Sequence, residues 1–355
     1  MPDHSAWSHY KPITVQDANV DANLSDFPLL VVLDGDTDIG SRCRTDGHDL
    51  RFTLDDGVTA LKYERLEFNV AAGSASGKFW VKVPSIAASG GTTLRVYYGN
   101  AAASDGEDAV NVWTNYEAVW HLDDTGSTAA DATGNGHTGT INGTTSVTGK
   151  IHKGLDFALD TDGVQITDQT NMENIDEFVV EAWCYPRSYG IGTNYGNLIA
   201  KDYYSASDDW SLYHGDGAGG TIRLEVNDAI EDSAASSFPN SAWYHVLGSY
   251  QRNTVGGHNI FVNGANEGSM DAPDAEIRGS ANDVWISGKW DSGKWDGVIE
   301  EVRILTTASP SGNLAAYTKF VHANVTEPDH EVSFGTETPN GRRWWFHQFI
   351  LRGNR

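Results

Sequence analysis

The chain has 355 residues, of which 39% are hydrophobic and 11% aromatic, so it can bury more than one core and is not predicted to be disordered. Its formal net charge of −25 argues against nucleic acid or an anionic membrane surface as a partner. No apolar run is long enough to span a membrane. The two cysteines, Cys43 and Cys184, fall in different predicted domains, which favours free thiols over a disulfide framework or a zinc site.

Strand patterns begin near the start of the chain and define a first domain at residues 1–113. Alternating or continuous apolar runs predict strands at 11–15, 27–33, 49–54, 78–84 and 93–98. Turn residues such as Asp55-Asp56-Gly57 separate them. This spacing is typical of an antiparallel sandwich, and the small, acidic residues 101–108 predict a linker or an exposed loop.

A second, larger all-β domain is predicted at residues 114–338. Its strands are expected at 177–185, 210–213, 221–226, 243–250, 259–262, 283–287, 298–305 and, as the closing strand, 331–335. Asn263-Gly264 predicts a tight hairpin, and Ser309 is the expected N-cap of one short helix over 310–321.

The acidity is uneven, and it separates a third segment from the rest. Residues 1–115 carry a net charge of −7, residues 116–338 carry −22, and residues 339–355 carry +4 with no acidic residue. The hypothesis for this basic, aromatic tail is docking onto a partner through Trp344, Trp345, Phe346 and Ile350, against the alternatives of a last packed strand or added sequence.

Several motifs in the second domain resemble those of LamG domains, in the same order. They are Ala118-Val119-Trp120-His121-Leu122, Asp131-Ala132-Thr133-Gly134-Asn135-Gly136, Gly154-Leu155-Asp156-Phe157, Phe178-Val179-Val180-Glu181-Ala182-Trp183, Trp243-Tyr244-His245-Val246, Phe261-Val262-Asn263-Gly264 and Gly297-Val298-Ile299-Glu300-Glu301-Val302-Arg303-Ile304. The resemblance implies a concanavalin A-like jelly roll. The first domain resembles a less characterised β-sandwich family that often precedes LamG modules, and its markers include Trp7 and Gly47-His48-Asp49-Leu50-Arg51-Phe52. The fold class is therefore expected to be all-β, with two antiparallel sandwiches.

The loop at Asp131 is the first candidate site. Asp131, Gly134 and Asn135 offer hard oxygen ligands within one turn, which suit a structural Ca²⁺ ion. The resemblance implies that Glu300 or Glu301 could complete the shell, although Glu300 stands where the family usually has Asp. The alternative is an Asx-turn, in which Asp131 accepts hydrogen bonds from amides of its own loop.

Aromatic residues in or beside predicted loops are the candidates for glycan binding, because sugar rings stack on flat aromatic faces. They are Tyr189, Tyr195, Tyr203, Tyr204, Trp210 and Trp290. For each of them the alternative is a ring that packs a loop onto the sandwich. Trp295 matches a family aromatic and is expected in the core.

A glycoside hydrolase is the enzyme alternative, since such enzymes share the fold that the resemblance implies and need two carboxylates. Glu327-Pro328-Asp329-His330-Glu331 has the spacing of alternate carboxylates on one strand, but Pro328 does not suit a central strand. We therefore expect a turn there, and no catalytic residue. The sequence contains no HExxH, GxSxG, P-loop or Rossmann motif.

Together these observations favour a non-catalytic surface protein whose first sandwich is an adaptor and whose second binds a glycan or another cell-surface ligand. Because no secretion signal is visible at Met1, the expected location is the surface of a virion, with the tail contacting other virion or surface-assembly proteins. An extracellular cellular adhesin is the alternative, and homo-oligomer formation stays open.

Overall fold

Strands make up most of the regular secondary structure, as the alternating patterns predict. The computed structural model describes residues 4–340 except 169, 192–194, 202–208, 216–219, 228, 234–236, 289–292 and 308–309. The aromatic tail, Tyr203, Tyr204, Trp290 and Ser309 lie outside the described residues, and so do the predictions made for them.

The strands of the first sandwich are β1 (His9–Val15), β2 (Leu24–Asp36), β3 (Arg51–Leu54), β4 (Tyr63–Ala71), β5 (Ser74–Ile86) and β6 (Thr92–Tyr98). Two four-residue helices accompany them, α1 (Thr37–Gly40) and α2 (Ala109–Val112). The strands of the jelly roll are β7 (Ala118–Trp120), β8 (Thr128–Ala129), β9 (Gly139–Asn142), β10 (Thr145–Thr148), β11 (Lys153–Phe157), β12 (Gly163–Ile166), β13 (Glu177–Pro186), β14 (Gly196–Lys201), β15 (Trp210–His214), β16 (Ile222–Val226), β17 (Ala229–Asp232), β18 (Tyr244–Gln251), β19 (His258–Val262), β20 (Ala265–Met270), β21 (Val284–Ile286) and β22 (Gly297–Leu305). They are followed by helix α3 (Leu314–Thr326) and the short strands β23 (Val332–Phe334) and β24 (Thr338–Pro339).

Two short strands that follow the jelly roll, β23 and β24, complete a sheet of the first sandwich. Its sheet I has the order β23-β1-β6-β3, with β24 also pairing β1, and its sheet II has the order β2-β5-β4. The strand predicted at 331–335 does not belong to the second domain, contrary to the prediction: β23 pairs with β1 of the first sandwich, with Val332 opposite Val15. An alternating pattern predicts a strand but does not say which sheet it joins.

The jelly roll consists of two eight-stranded antiparallel sheets. Sheet III has the order β10-β11-β22-β13-β18-β19-β20, with β7 also pairing β22, and sheet IV has the order β17-β16-β15-β14-β21-β12-β9-β8. The predicted hairpin at Asn263-Gly264 is confirmed between β19 and β20, and both residues have positive φ, as a type I′ turn requires. Apolar side chains from the facing sides of the two sheets form one buried core.

Helix α3 lies between the two sandwiches. Its N-cap is Asn313, whose side chain accepts from the Ala316 amide, and it ends at Thr326, so the helix lies four to five residues later than the predicted 310–321. Phe27 of β2 packs on Tyr317 and Phe320 of α3, with ring centroids 5.7 and 5.1 Å apart.

The outer side of sheet III is buried against the first sandwich rather than exposed. Val179, Trp183, Leu247 and Leu305 from this side belong to the same apolar cluster as the first sandwich. The guanidinium of Arg303 completes the contact, 4.4 Å from the ring centroid of Trp80 and 4.8 Å from that of Trp113. The jelly roll therefore has one sheet covered by its neighbour.

Candidate functional site

The outer side of sheet IV carries a row of side chains from five neighbouring strands. In β16, Ile222, Leu224 and Val226 are buried while Arg223 and Glu225 alternate with them and are partly exposed. Residues paired across antiparallel strands share a face, so Glu225 shares its face with a set of residues on the other strands. In strand order they are Ser211, Ala200, Trp285 and Gln165.

Trp285 stands in the middle of this row and is partly exposed. Its neighbours across the sheet on one side are the small residues Ala200 and Ser211, which are 4% and 3% exposed. On the other side, Gln165 donates to Asp283 at 2.5 Å. A flat ring beside small residues and amide or carboxylate groups is the arrangement that stacks on a sugar and bonds its hydroxyls.

A buried lysine holds the Trp285 ring in place. Lys294 Nζ lies 5.6 Å from the ring centroid and donates to the carbonyl oxygens of Asp162 and Gly288 at 2.8 and 2.6 Å. The cation therefore contacts the ring while its charge is solvated by backbone carbonyls. Trp285 was not among the predicted ligand residues, although the alternation of Val284-Trp285-Ile286 places it on the face opposite two core residues.

Two predicted ligand residues lie close to this row. Tyr195 is partly exposed, and its ring is 6.4 Å from that of Tyr213 in an edge-to-face contact. Tyr213 follows Leu212 in β15 and so points to the outer side of sheet IV. Tyr189 is also partly exposed but packs on His214, 4.9 Å away, on the core side of the same strand.

Trp210 is not available to a ligand, and its prediction as an exposed loop aromatic is wrong. Its side chain is 1% exposed and packs on Phe178 in the jelly-roll core, with ring centroids 5.3 Å apart. Trp210 shares a face with Leu212, two residues along β15, because side chains alternate along a strand. The expectation that Trp295 is a core residue is confirmed.

The Asp131 carboxylate is occupied by its own loop. Oδ1 accepts from the amides of Thr133 (3.0 Å) and Val119 (3.3 Å) and from the Thr133 hydroxyl (2.7 Å). Oδ2 accepts from the amides of Gly136 and His137 at 3.1 and 3.0 Å. This is the Asx-turn alternative, extended to five donors.

The other predicted calcium ligands also have different partners. The Asn135 side chain donates to the carbonyl of Glu117 at 2.9 Å, while Glu301 pairs with His121 at 2.7 Å and with Arg303 at 2.8 Å. Glu300 accepts from the amides of Lys150 and Ile151. The five residues do not fit a calcium shell, and the described part of the chain brings no three His, Cys, Asp or Glu side chains together as a metal site.

Glu300 and Glu301 lie on the same side of β22 because the strand has a bulge there. Glu301 has φ +53°, and Trp183 pairs with Glu300 whereas Glu181 pairs with Arg303, so two residues oppose one. Both carboxylates thereby point away from the jelly-roll core. The sequence alone could not show this, since consecutive strand residues ordinarily face opposite sides.

Asp209 is a buried carboxylate that the sequence analysis did not single out. It precedes β15, is 1% exposed, and burial raises its pKa to about 6. Oδ2 accepts from the Ser280 hydroxyl, while Oδ1 has no hydrogen-bond donor among the described residues. The side chain lines a cavity of about 300 Å³ together with Asn174 and residues 276–280.

The segment Glu327–Glu331 does not form the strand that the hydrolase alternative needs. It is a turn between α3 and β23, with positive φ at His330 and Glu331, as the sequence analysis expected. Glu331 accepts from the Asn19 side chain at 2.7 Å. The three carboxylates therefore do not alternate along one strand face.

Comparison with known families identifies the two parts of the chain. Residues 159–313 match the concanavalin A-like lectin/glucanases superfamily, and residues 46–137 match a domain of unknown function, DUF2341. The chain therefore contains a concanavalin A-like lectin/glucanase domain preceded by a DUF2341 domain, which confirms both resemblances and the all-β fold. The DUF2341 match extends to His137 and so includes the Asp131 loop.

Solved structures resemble the chain distantly. Domain 4 of AbnA, an extracellular arabinanase of Geobacillus stearothermophilus in complex with arabinotriose, is 18% identical with a TM-score of 0.45, over 57% of this chain and 98% of that one. The binding domain of Paraclostridial Mosquitocidal Protein 1 is 12% identical with a TM-score of 0.45, over 59% and 52%. Botulinum neurotoxin type C, whose cell entry depends on two ganglioside molecules, is 10% identical with a TM-score of 0.43, over 59% and 52%. Likeness at this level says nothing about what this chain binds.

No curated protein sequence matches the chain. Within the described residues, no helix combines the length and apolarity that crossing a bilayer would require.

Proposed function

We propose that this chain is a non-catalytic binding protein that recognises a glycan on the outer side of sheet IV. The observation that supports this most directly is Trp285, a partly exposed indole held by Lys294 beside Ala200 and Ser211. Sheet III is covered by the first sandwich, whereas Trp285, Gln165 and Glu225 of the sheet IV row are partly exposed. Aromatic side chains of this kind dominate the binding energy of many interfaces.

Replacing Trp285 with alanine tests this function. The variant is expected to lose about tenfold or more of its affinity for at least one glycan that the wild-type chain retains on a glycan array. Tyr10→Ala, which removes a partly exposed ring from the first sandwich, is the matched control and should bind as the wild type does. Unchanged binding by Trp285→Ala, with a folded circular dichroism spectrum, would contradict the assignment of the site.

Calcium stays part of the proposal, at Asp209 rather than at Asp131. Among the described residues, Oδ1 of the buried Asp209 carboxylate has no hydrogen-bond donor, and the side chain lines a cavity, so a cation there would offset the cost of ionising it. Glu276 and Arg278 also line the cavity, but the Glu276 carboxylate is paired with Arg252. The remaining ligands would therefore be carbonyl oxygens and water, and binding would be weak, as at many extracellular Ca²⁺ sites.

Thermal melting with EDTA and then with Ca²⁺ tests the cation. Calcium at a hundredfold excess over its Kd should stabilise the wild-type chain by about 2–3 kcal/mol, and the gain should shrink as the pH falls through 6, where protons compete for Asp209. Asp209→Asn should abolish the calcium response. Asp131→Asn should lower the melting temperature but keep the response, and the reverse pattern would return the site to the Asp131 loop.

The proposed function also includes a location for the chain. We place it on the surface of a virus or phage particle, with the basic, aromatic residues 341–355 contacting other particle proteins. A cellular adhesin would use the same binding face. Mass spectrometry of purified particles would find the chain in the first case and miss it in the second.

A further inference from the structure

The first sandwich contains a separate cleft, whose lining residues are distant in sequence from those of the sheet IV row. Its volume is about 470 Å³, within the range of small-molecule sites. The described lining residues are His4, Trp7, Arg51, Phe52, Ala60, Leu61, Lys62 and residues 105–108. The cleft thus combines an aromatic and apolar floor with a polar rim.

The floor is fixed by Trp7 and Arg51. The indole nitrogen of Trp7 donates to the carbonyl of Asp49, and the guanidinium of Arg51 lies 5.2 Å from the ring centroid. Arg51 donates to the carbonyls of Leu50 (2.6 Å) and Ser104 (2.7 Å), which ties two loops together. Arg51 covers one face of the Trp7 ring, and the His4 ring meets it at 61° with ring centroids 5.4 Å apart. Trp7 is still partly exposed, and the rest of its ring lines the cleft.

Asp49 fixes the same two loops from below. It is fully buried, and its carboxylate accepts from the amides of Arg44 (2.9 Å), Gly99 (2.8 Å) and Asn100 (3.0 Å). Trp7, Asp49 and Arg51 are among the sequence markers of this domain, and in the structure all three hold or line the cleft. A site held by buried hydrogen bonds keeps its shape before a ligand arrives.

The rim favours a neutral, hydroxylated ligand. Its acids are paired with bases: Asp105 with Arg65 at 2.7 Å, Glu107 with Arg65 at 3.0 Å, and Asp108 with Lys62. Arg51 also lines the cleft, so three bases offset these three acids, and the rim does not select strongly for a cation or a phosphate. Each ionised carboxylate has about four acceptor positions, so the paired acids still offer acceptors to hydroxyl groups.

We propose that this cleft is a second carbohydrate site, which takes one or two neutral sugar rings stacked on Trp7 with hydroxyls bonded to Lys62 and Asp108. Its ligand is independent of the one at sheet IV. Two sites on opposite modules would let the chain hold two glycan ends at once, which raises avidity without any new contact.

A blocking variant tests the second site in the full chain. Ala60 is exposed and lines the cleft, so Ala60→Trp should fill it without disturbing a core. Saturation-transfer NMR with glucose, galactose, N-acetylglucosamine, cellobiose and lactose should show at least one sugar binding the wild type and losing about tenfold or more in affinity in this variant. Val58→Trp, an exposed position two residues away that does not line the cleft, is the matched control and should bind normally.

Two further variants keep the sites distinguishable. Lys62→Ala removes a rim group whose side chain is 52% exposed and should weaken the same sugar. Trp285→Ala should leave that sugar bound to the cleft. The second site is overturned if none of the five sugars binds, or if Ala60→Trp binds as tightly as Val58→Trp.

Discussion

Replacing Arg303 with methionine is expected to lower the free energy of unfolding by about 3–5 kcal/mol, because it leaves buried carboxylates without their cation. Arg303 is 2% exposed and pairs with Glu301 at 2.8 Å and with Glu181 at 3.5 Å. Methionine keeps most of the length of the side chain and its contacts with Trp80 and Trp113, so little of the loss should come from an empty cavity. Urea unfolding followed by tryptophan fluorescence measures the change.

Arg252 provides the matched control for Arg303. It pairs with three carboxylates, Asp176 at 2.9 Å, Asp274 at 2.6 Å and Glu276 at 3.1 Å, but all four side chains are substantially exposed. Exposed ion pairs contribute little, since water already solvates both charges. Arg252→Met should therefore leave the unfolding midpoint almost unchanged, and equal losses in the two variants would contradict a special role for burial.

The Arg303 network also predicts how the loss can be reversed. Glu301 is held ionised because His121 and Arg303 lower its pKa, although burial alone would raise it. His121 in turn has a pKa well above its usual value: burial would lower it, but Glu301 and Glu64 outweigh that effect. Adding Glu301→Gln to Arg303→Met should recover part of the lost stability, because it removes one of the two buried carboxylates that lost the guanidinium.

The jelly roll was predictable from the sequence because its motifs carry local geometry. Phe261-Val262-Asn263-Gly264 specifies both a strand and its turn, and the apolar alternation of 221–226 specifies a buried face. The sequence of a strand does not specify which other strand it pairs with. The strand at Val332 has the pattern of any short strand, and only the folded chain shows that it pairs with β1, more than 300 residues earlier.

The candidate sites were less predictable, for two different physical reasons. A carboxylate followed by small residues can form an Asx-turn as readily as it can bind a metal. At Asp131, backbone amides of the loop donate hydrogen bonds to both carboxylate oxygens. The glycan-binding aromatics were predicted from the polar composition of the neighbouring loops. The strand alternation gives the better signal, since it places Trp210 with Leu212 in the core and Trp285 opposite its apolar neighbours Val284 and Ile286.

Glu300→Gln is expected to stabilise the chain in alkaline solution, the opposite of what the loss of a charged group usually does. Glu300 is fully buried; Oε1 accepts from the amides of Lys150 (2.5 Å) and Ile151 (2.7 Å), and Oε2 has no donor among the described residues. Burial raises its pKa to about 8, and the neighbouring charge of Glu301 adds to the effect. At neutral pH the folded protein therefore keeps this side chain protonated.

The pH dependence follows from the direction of that shift. The unfolded chain releases the Glu300 proton near its ordinary pKa of 4.5, whereas the folded chain holds it up to about pH 8. The stability that this group contributes is complete below pH 4.5 and is lost as the pH rises to 8. Glutamine keeps the acceptor oxygen and never ionises, so the variant should match the wild type at pH 5 and exceed it at pH 9 by an amount on the order of 3–5 kcal/mol.

Glu301→Gln, one residue along the strand, is expected to destabilise the chain, the opposite of the effect of Glu300→Gln. Glu301 is equally buried but is ionised and paired with His121 and Arg303, so neutralising it removes two charge-assisted hydrogen bonds and leaves both cations short of a partner. This variant should be less stable than the wild type across pH 5–9. Unfolding curves for the two glutamine variants at pH 5, 7 and 9 separate the cases, and a destabilised Glu300→Gln at pH 9 would show that Glu300 is ionised in the folded chain.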